Sequence, residues 1–240
     1  MKKSYLSLTI IAFLGVFTLF SCQSDSDEYE TITPTPTTTP VSLDLNQIPY
    51  QKLSDYHFFT GILKNNTPNA RVLPYEIASG LFTDYAHKKR FVWMPEGTKA
   101  VYDGDGKVLK FPVGTALVKT FYYDNVQPSN DTRIIETRLM VKKGVDGSGN
   151  DIWIFANYIW NENQTEATLD MNGSYKPLTW KENNVTKSTN YRIPSATECL
   201  TCHKKNEKAI PIGPKPQNLN ITYNYTDGAK NQLTKWMENG

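Results

Sequence analysis

Between residues 90 and 171 the chain breaks into short runs rich in Val, Ile, Thr and aromatics, with turn residues between them. The runs span 90–94, 107–111, 116–123, 133–143, 151–160 and 166–171. Such punctuated runs are strand signals, and no helical stretch of comparable length interrupts them. The pattern predicts a mainly β fold, an antiparallel sandwich or barrel-like domain, and argues against a parallel α/β fold. In the run 133–143, Ile135, Thr137, Leu139 and Val141 share one face. The segment 144–150 reads as a hairpin loop. The segment 103–106 reads as another turn, since its residues do not fit an EF-hand calcium loop. The aromatic supply of 14 Tyr, 10 Phe and 5 Trp suits sheets. With 39% hydrophobic and 21% charged residues, disorder throughout, collagen-like repeats and a multi-span membrane protein are excluded. A net charge of +2 without a basic stripe gives no case for nucleic acid.

The N-terminus reads as an address. Lys2 and Lys3 precede an apolar stretch from Leu6 to Phe20 that ends in Ser21-Cys22. The stretch is short for a spanning helix and has the build of a secretory signal. A small residue before a Cys at its end resembles a bacterial lipobox, with Phe20 bulkier than most such patterns carry. The reading is a lipoprotein signal peptide over residues 1–21 and an acylated Cys22 that anchors the chain to a lipid bilayer. An acidic run, Asp25 to Glu28, and a Thr/Pro tract, Thr31 to Pro40, come next. They form an extended tether over residues 22–45. The acidic run resembles the surface-export signal of Bacteroidetes lipoproteins. The expected location is the outer membrane, at its periplasmic face or the cell surface.

The chemistry concentrates in Cys199-Leu200-Thr201-Cys202-His203. This is CxxCH, the attachment signature of c-type haem. Positions i and i+3 share a helix face, so both thiols can reach the two vinyl groups of one porphyrin. His203 comes directly after and can ligate the iron. Ser195 to Glu198 forms a capping-box sequence behind Pro194, which places a helix start just before Cys199. A redox dithiol would want a thioredoxin-like βαβ context. A zinc site would want a second ligand pair, and the only other His are His57 and His87. A structural disulfide is the third rival in an exported chain. The expected cofactor is one covalent haem c, on Cys199, Cys202 and His203.

The stretch after the motif resembles a cytochrome c. Pro211-Ile212-Gly213-Pro214 stands where such proteins place a loop whose carbonyl accepts from the haem His. Pro214 is the candidate for that carbonyl and Pro211 the second; an ordinary turn stays open. Residues 227–239 read as a short helix with Leu233, Trp236 and Met237 on or near one face. No distal iron ligand is evident. Met237 and His87 are the candidates, with His57 and Met94 behind them and an open site as the alternative.

A wider resemblance runs from about Leu53 onward. It is carried by residues 81–97, Phe111-Pro112-Val113-Gly114-Thr115, Lys119-Thr120-Phe121-Tyr122-Tyr123, Glu136-Thr137-Arg138-Leu139, residues 158–162 and Pro211-Ile212-Gly213-Pro214. These resemble a family of exported bacterial c-type cytochromes, often with two haems and without an assigned role. The family's first haem motif maps onto Cys199, Cys202 and His203. Longer members continue to a second CxxCH, which this sequence lacks, so the expectation here is one haem. The expected organisation is an all-β domain over residues 46–190 and a small α-helical, cytochrome c-like haem segment over 191–240. The expected function is single-electron transfer to or from a redox partner protein of unknown identity. The alternatives are a peroxidase-like haem enzyme or sensor with an open distal site, and a surface binding module in which haem is auxiliary.

Overall fold

The computed structural model describes residues 38–239. The expected signal peptide, Cys22 and most of the expected tether lie outside the described residues. What is described belongs to one compact unit. It is mainly β, and its strand pairings are antiparallel.

The N-terminal part contributes β1 (Phe59–Thr60) paired with β2 (Thr67–Pro68) and a short β3 (Leu73–Pro74). The main sheet is then built by β4 (His87–Trp93), β5 (Ala116–Val126), β6 (Asp131–Val145), β7 (Asp151–Trp160) and β8 (Ala167–Leu169). These five pair in sequence order, and β3 adds to β4. A hairpin of β9 (Ser174–Glu182) and β10 (Val185–Ile193) joins the far end of β5 through Val126↔Trp180. One open eight-stranded sheet thus stands where two packed sheets or a barrel were expected. Register shifts after Phe121, after Tyr123 and after Lys142 bend β5 and β6. Such bulges sharpen local twist and re-aim side chains.

Both faces of the sheet are covered. One face packs Phe91, Val118, Leu139, Val141 and Tyr158 against Leu53, Phe58 and other residues of the N-terminal segment. Thr120, Thr137 and Trp160 satisfy one another there at 3.0 Å. Val41, Leu43 and Leu45 pack against this cluster, and Ser42 N–H donates to Tyr56 O at 2.9 Å. The packed body therefore begins inside the stretch expected to be tether, because those alternate apolar residues find a core to bury in.

The opposite face carries two clusters. One joins Phe121, Tyr123 and Ile135 to Leu178, Trp180 and Tyr191 of the β9–β10 hairpin. The other joins Leu117, Met140 and Trp153 to Tyr75, Leu219 and Trp236. The C-terminal stretch therefore docks on the same sheet. It comprises α1 (Ala196–Cys202), a hairpin of β11 (Lys204–Lys205) and β12 (Lys208–Ala209), α2 (Pro216–Leu219), a hairpin of β13 (Thr222–Tyr225) and β14 (Gly228–Asn231), and α3 (Gln232–Glu238). A separate helical haem domain is not evident. The helices are short, two hairpins alternate with them, and Leu219 of α2 and Trp236 of α3 are buried against the sheet.

Candidate functional site

A cavity of about 660 Å³ lies on this second face, between the two clusters. That is within the range of roughly 300–1,000 Å³ in which proteins enclose cofactor-sized ligands. Its floor is the middle of the sheet. Its walls include Cys199, Cys202 and His203, the Pro211–Pro214 segment, and the loop from Ile77 to Asp84.

The wall bearing the cysteines is held in place locally. The Glu198 carboxylate accepts from Ser195 N–H at 2.8 Å, forming the expected capping box at the start of α1. Glu198 also pairs with Arg192 at the end of β10, which ties the helix to the sheet. Both thiols are free, with Cys199 half-buried and Cys202 exposed. Burial pushes the Cys199 thiol up.

His203 caps α1, its N–H donating to Cys199 O at 3.0 Å. The β11–β12 hairpin then turns at Asn206 and Glu207, both with positive φ. This returns the chain so that Ile210 N–H donates to His203 O at 3.0 Å. Ile210 O lies 3.0 Å from His203 Nδ1. A carbonyl only accepts, so Nδ1 carries the proton and Nε2 is left with its lone pair. Burial lowers the His203 pKa, with the charges of Lys119 and Arg138 adding to the effect and the Ile210 bond opposing it. The imidazole is held neutral, the form a metal requires. The ring of Phe155 meets its edge at 5.6 Å between centroids.

Pro214, expected to supply that carbonyl, instead accepts from Leu109 N–H at 3.2 Å. It lines the cavity with Pro211, while Ile210 takes the role because the hairpin returns the chain one residue before Pro211. The distal candidates lie elsewhere. His87 stacks on Tyr122, which packs on the opposite face of the sheet. Met237 is 75% exposed on α3. His57 ends a 3-10 turn in the N-terminal segment that covers the opposite face. Met94 packs into the Tyr75–Trp236 cluster without lining the cavity.

The floor contains residues that the sequence patterns did not single out. Arg90, Lys119, Arg138, Met140 and Asn157 all line the cavity. Arg90 pairs with Glu76 at 2.5 Å, and Arg138 with the fully buried Glu136. Burial, then the neighbouring Arg90 and Arg138, push the Lys119 amine down to about 7. The Ile77–Asp84 wall is fixed from below. Gln232 of α3 accepts from Glu76 N–H at 2.6 Å and donates to Glu76 O and Leu219 O. Ala78 N–H donates to Asn218 O at 2.9 Å.

A tetrapyrrole suits this set. Two free thiols and a neutral imidazole, its outer nitrogen already engaged, open onto one cofactor-sized cavity with Phe155 and Met140 among its apolar lining. No protein-family model, curated protein or solved structure matches the chain.

Proposed function

We propose that the protein holds one covalent haem c in this cavity and transfers single electrons. The observation that carries the reading is convergence: Cys199, Cys202 and His203 line the same cavity, and His203 Nδ1 is bonded so that Nε2 remains free. Each thiol would add across a vinyl group, sulfur bonding to carbon while the thiol hydrogen moves to the neighbouring carbon, so no oxidant is needed. His203 Nε2 would ligate the iron. When bound, haem supplies a centre that exchanges one electron between Fe(III) and Fe(II). The chain would orient the ligand and raise its basicity through Ile210 O. The ordered motifs that resemble exported c-type cytochromes support the same reading. So does the lipobox-like Ser21-Cys22, which would anchor the protein at the outer membrane, facing the periplasm or the cell surface. The electron donor or acceptor would be another protein.

A second reading, a haem enzyme or sensor, is favoured by one observation: the cavity floor offers a row of polar side chains where an electron carrier would bury its iron among apolar ones.

The test is expression in cells that mature c-type haem, followed by a pyridine haemochrome assay. Wild-type protein should show a c-type α-band that survives acid-acetone extraction. Cys199→Ala/Cys202→Ala should lose it, and His203→Ala should keep it with an altered native spectrum. A colourless wild-type protein with two titratable thiols would overturn the haem reading.

A further inference from the structure

Four adjacent strands place polar residues in one register row across the cavity floor. Arg90 faces Lys119 across β4–β5, Lys119 faces Arg138 across β5–β6, and Arg138 faces Asn157 across β6–β7. The neighbouring row, Val92, Leu117, Met140 and Phe155, is apolar. Like charges directly opposite each other destabilise a sheet. Glu76 answers Arg90 and Glu136 answers Arg138. Lys119 has neither an ion-pair nor a hydrogen-bond partner among the described residues. Arg138 Nε and both amide atoms of Asn157 are buried without partners, and Asn157 is 2% exposed. Such orphans ask for an occupant. The remaining charges at the rim are Asp84, Lys215 and the Arg192–Glu198 pair.

We propose that Lys119, Arg138 and Asn157 form a binding site for a small inorganic anion beside the haem iron, of the class that carries a lone pair for the metal. This rests on the haem reading. Lys119, whose amine has no carboxylate partner and lies 4.8 Å from the Phe121 ring centre, and the two free donors Arg138 Nε and Asn157 Nδ2 match a compact anion that accepts hydrogen bonds on one side and ligates on the other. Lys119, Arg138 and Asn157 line the same cavity as His203, and Phe155, two residues from Asn157 on β7, meets the His203 ring at 5.6 Å, so the row lies near the ligand that would hold the iron. The haem's own carboxylates are a second source of negative charge. They leave the ring away from the thioethers, whereas Arg138 lines the cavity together with Cys199 and already has Glu136 as its carboxylate partner.

The experiment uses full-length protein shown by haemochrome assay to carry covalent haem. Oxidised protein is titrated with azide and with nitrite, and reduced protein with carbon monoxide, following the Soret band and the spin state. Wild type should bind both anions. Lys119→Met should weaken azide at least about tenfold, the loss of one charge-assisted bond, while carbon monoxide affinity changes by less than about threefold. Asn157→Leu is the second variant and should weaken azide in the same selective way. Three results on coloured protein would overturn the proposal alone. The first is a wild-type spectrum indifferent to both anions, as expected if the haem carboxylates fill the row. The second is parallel loss of azide and carbon monoxide binding in the variants. The third is a low-spin wild type that becomes high-spin in Lys119→Met, which would make the amine itself an iron ligand. Colourless protein overturns the haem reading and this proposal together.

Discussion

Gly173 lies directly beneath Ser195. Its φ is +78°, and a Cβ placed on it would meet Ser195 N at 2.8 Å, Ser195 Cβ at 3.1 Å and Ile193 O at 3.2 Å. Ser195 is the N-cap of the helix that carries both cysteines. The turn between β8 and β9 therefore sets the position of the cysteine-bearing helix more than twenty residues away. Only a residue without a Cβ allows that approach and that backbone angle together.

Gly173→Ala should cost about 1–3 kcal/mol through the left-handed backbone angle alone. The clash with Ser195 should add a local effect. Haem loading, read as the Soret-to-280-nm absorbance ratio after expression with maturation, should fall more than the urea midpoint implies. Gly97→Ala serves as the control, because its φ is +72° and nothing lies within 4 Å of its added Cβ. Equal haem loading in the two variants would show that the Gly173 contact does not position α1.

The turn at Asn206-Glu207 brings Ile210 O back to His203, yet Glu207 holds φ at +60°. A Glu there bears strain of roughly 1 kcal/mol that Gly would not. It also makes an exposed ion pair with Lys204 at 3.1 Å, worth about 0–1 kcal/mol. Glu207→Gly should therefore raise stability by up to about 1 kcal/mol with the His203 environment unchanged. Glu207→Pro cannot adopt the angle and should shift the reduction potential as well as the unfolding midpoint. A potential unchanged in the Pro variant of haem-loaded protein would sever the hairpin from His203.

The strands 116–123, 133–143 and 151–160 were legible in the sequence because alternation and turn chemistry coincide there, and β5, β6 and β7 contain them. The capping box and the CxxCH motif were legible too, both being local patterns. The β9–β10 hairpin was missed because its solvent side is Lys, Thr and Asn and one strand contains Pro177. Its signal was Asn183-Asn184, both at positive φ, flanked by Leu178 and Trp180 on one strand and Tyr191 and Ile193 on the other. The run 107–111 makes only a single bridge, Val101↔Lys110. The cavity floor was hidden by a period argument. Reading Ile135, Thr137, Leu139 and Val141 as one face left the other, with Glu136, Arg138 and Met140, unassigned. In fact both faces are covered, and the bulge between Glu136 and Ile134 turns Ile135 to the cavity side. Charged residues inside a strand covered on both faces are the sign of a site, but that covering comes from segments distant in sequence.

Glu136 is fully buried, bonded to Arg138 and to Tyr191 Oη, the latter at 2.6 Å. Removing one partner of a buried pair strands the other, at a cost of roughly 3–5 kcal/mol. Glu136→Gln should fall at the lower end, about 3 kcal/mol, because the Arg138 side chain keeps 27% exposure. Glu136→Gln/Arg138→Met should recover most of it. If the double variant is as unstable as the single, the cost lies in the weakened Tyr191 bond and not in a stranded guanidinium.

Lys119 should make stability depend on pH in a way that isolates one amine. Its folded pKa is about 7, lowered by burial and by Arg90 and Arg138. In an unfolded chain a lysine titrates near 10.4. Between those values the unfolded chain binds a proton that the folded protein does not. The lysine's contribution therefore becomes steadily less favourable as pH falls from about 10.5 toward 7, and is constant below. Lys119→Met removes this dependence. In haem-free protein the variant should exceed wild type by roughly 2–4 kcal/mol more at pH 7 than at pH 10.5, at about 1.4 kcal/mol per pH unit. Urea unfolding at a series of pH values measures the difference, and every other titrating group is shared by the two proteins. A gap that stays the same across the series would mean the amine reaches water when folded. A gap that opens toward pH 7 would mean the fold holds the Lys119 amine neutral on the cavity floor against its own stability, ready to take up a proton when an anion arrives to answer the charge.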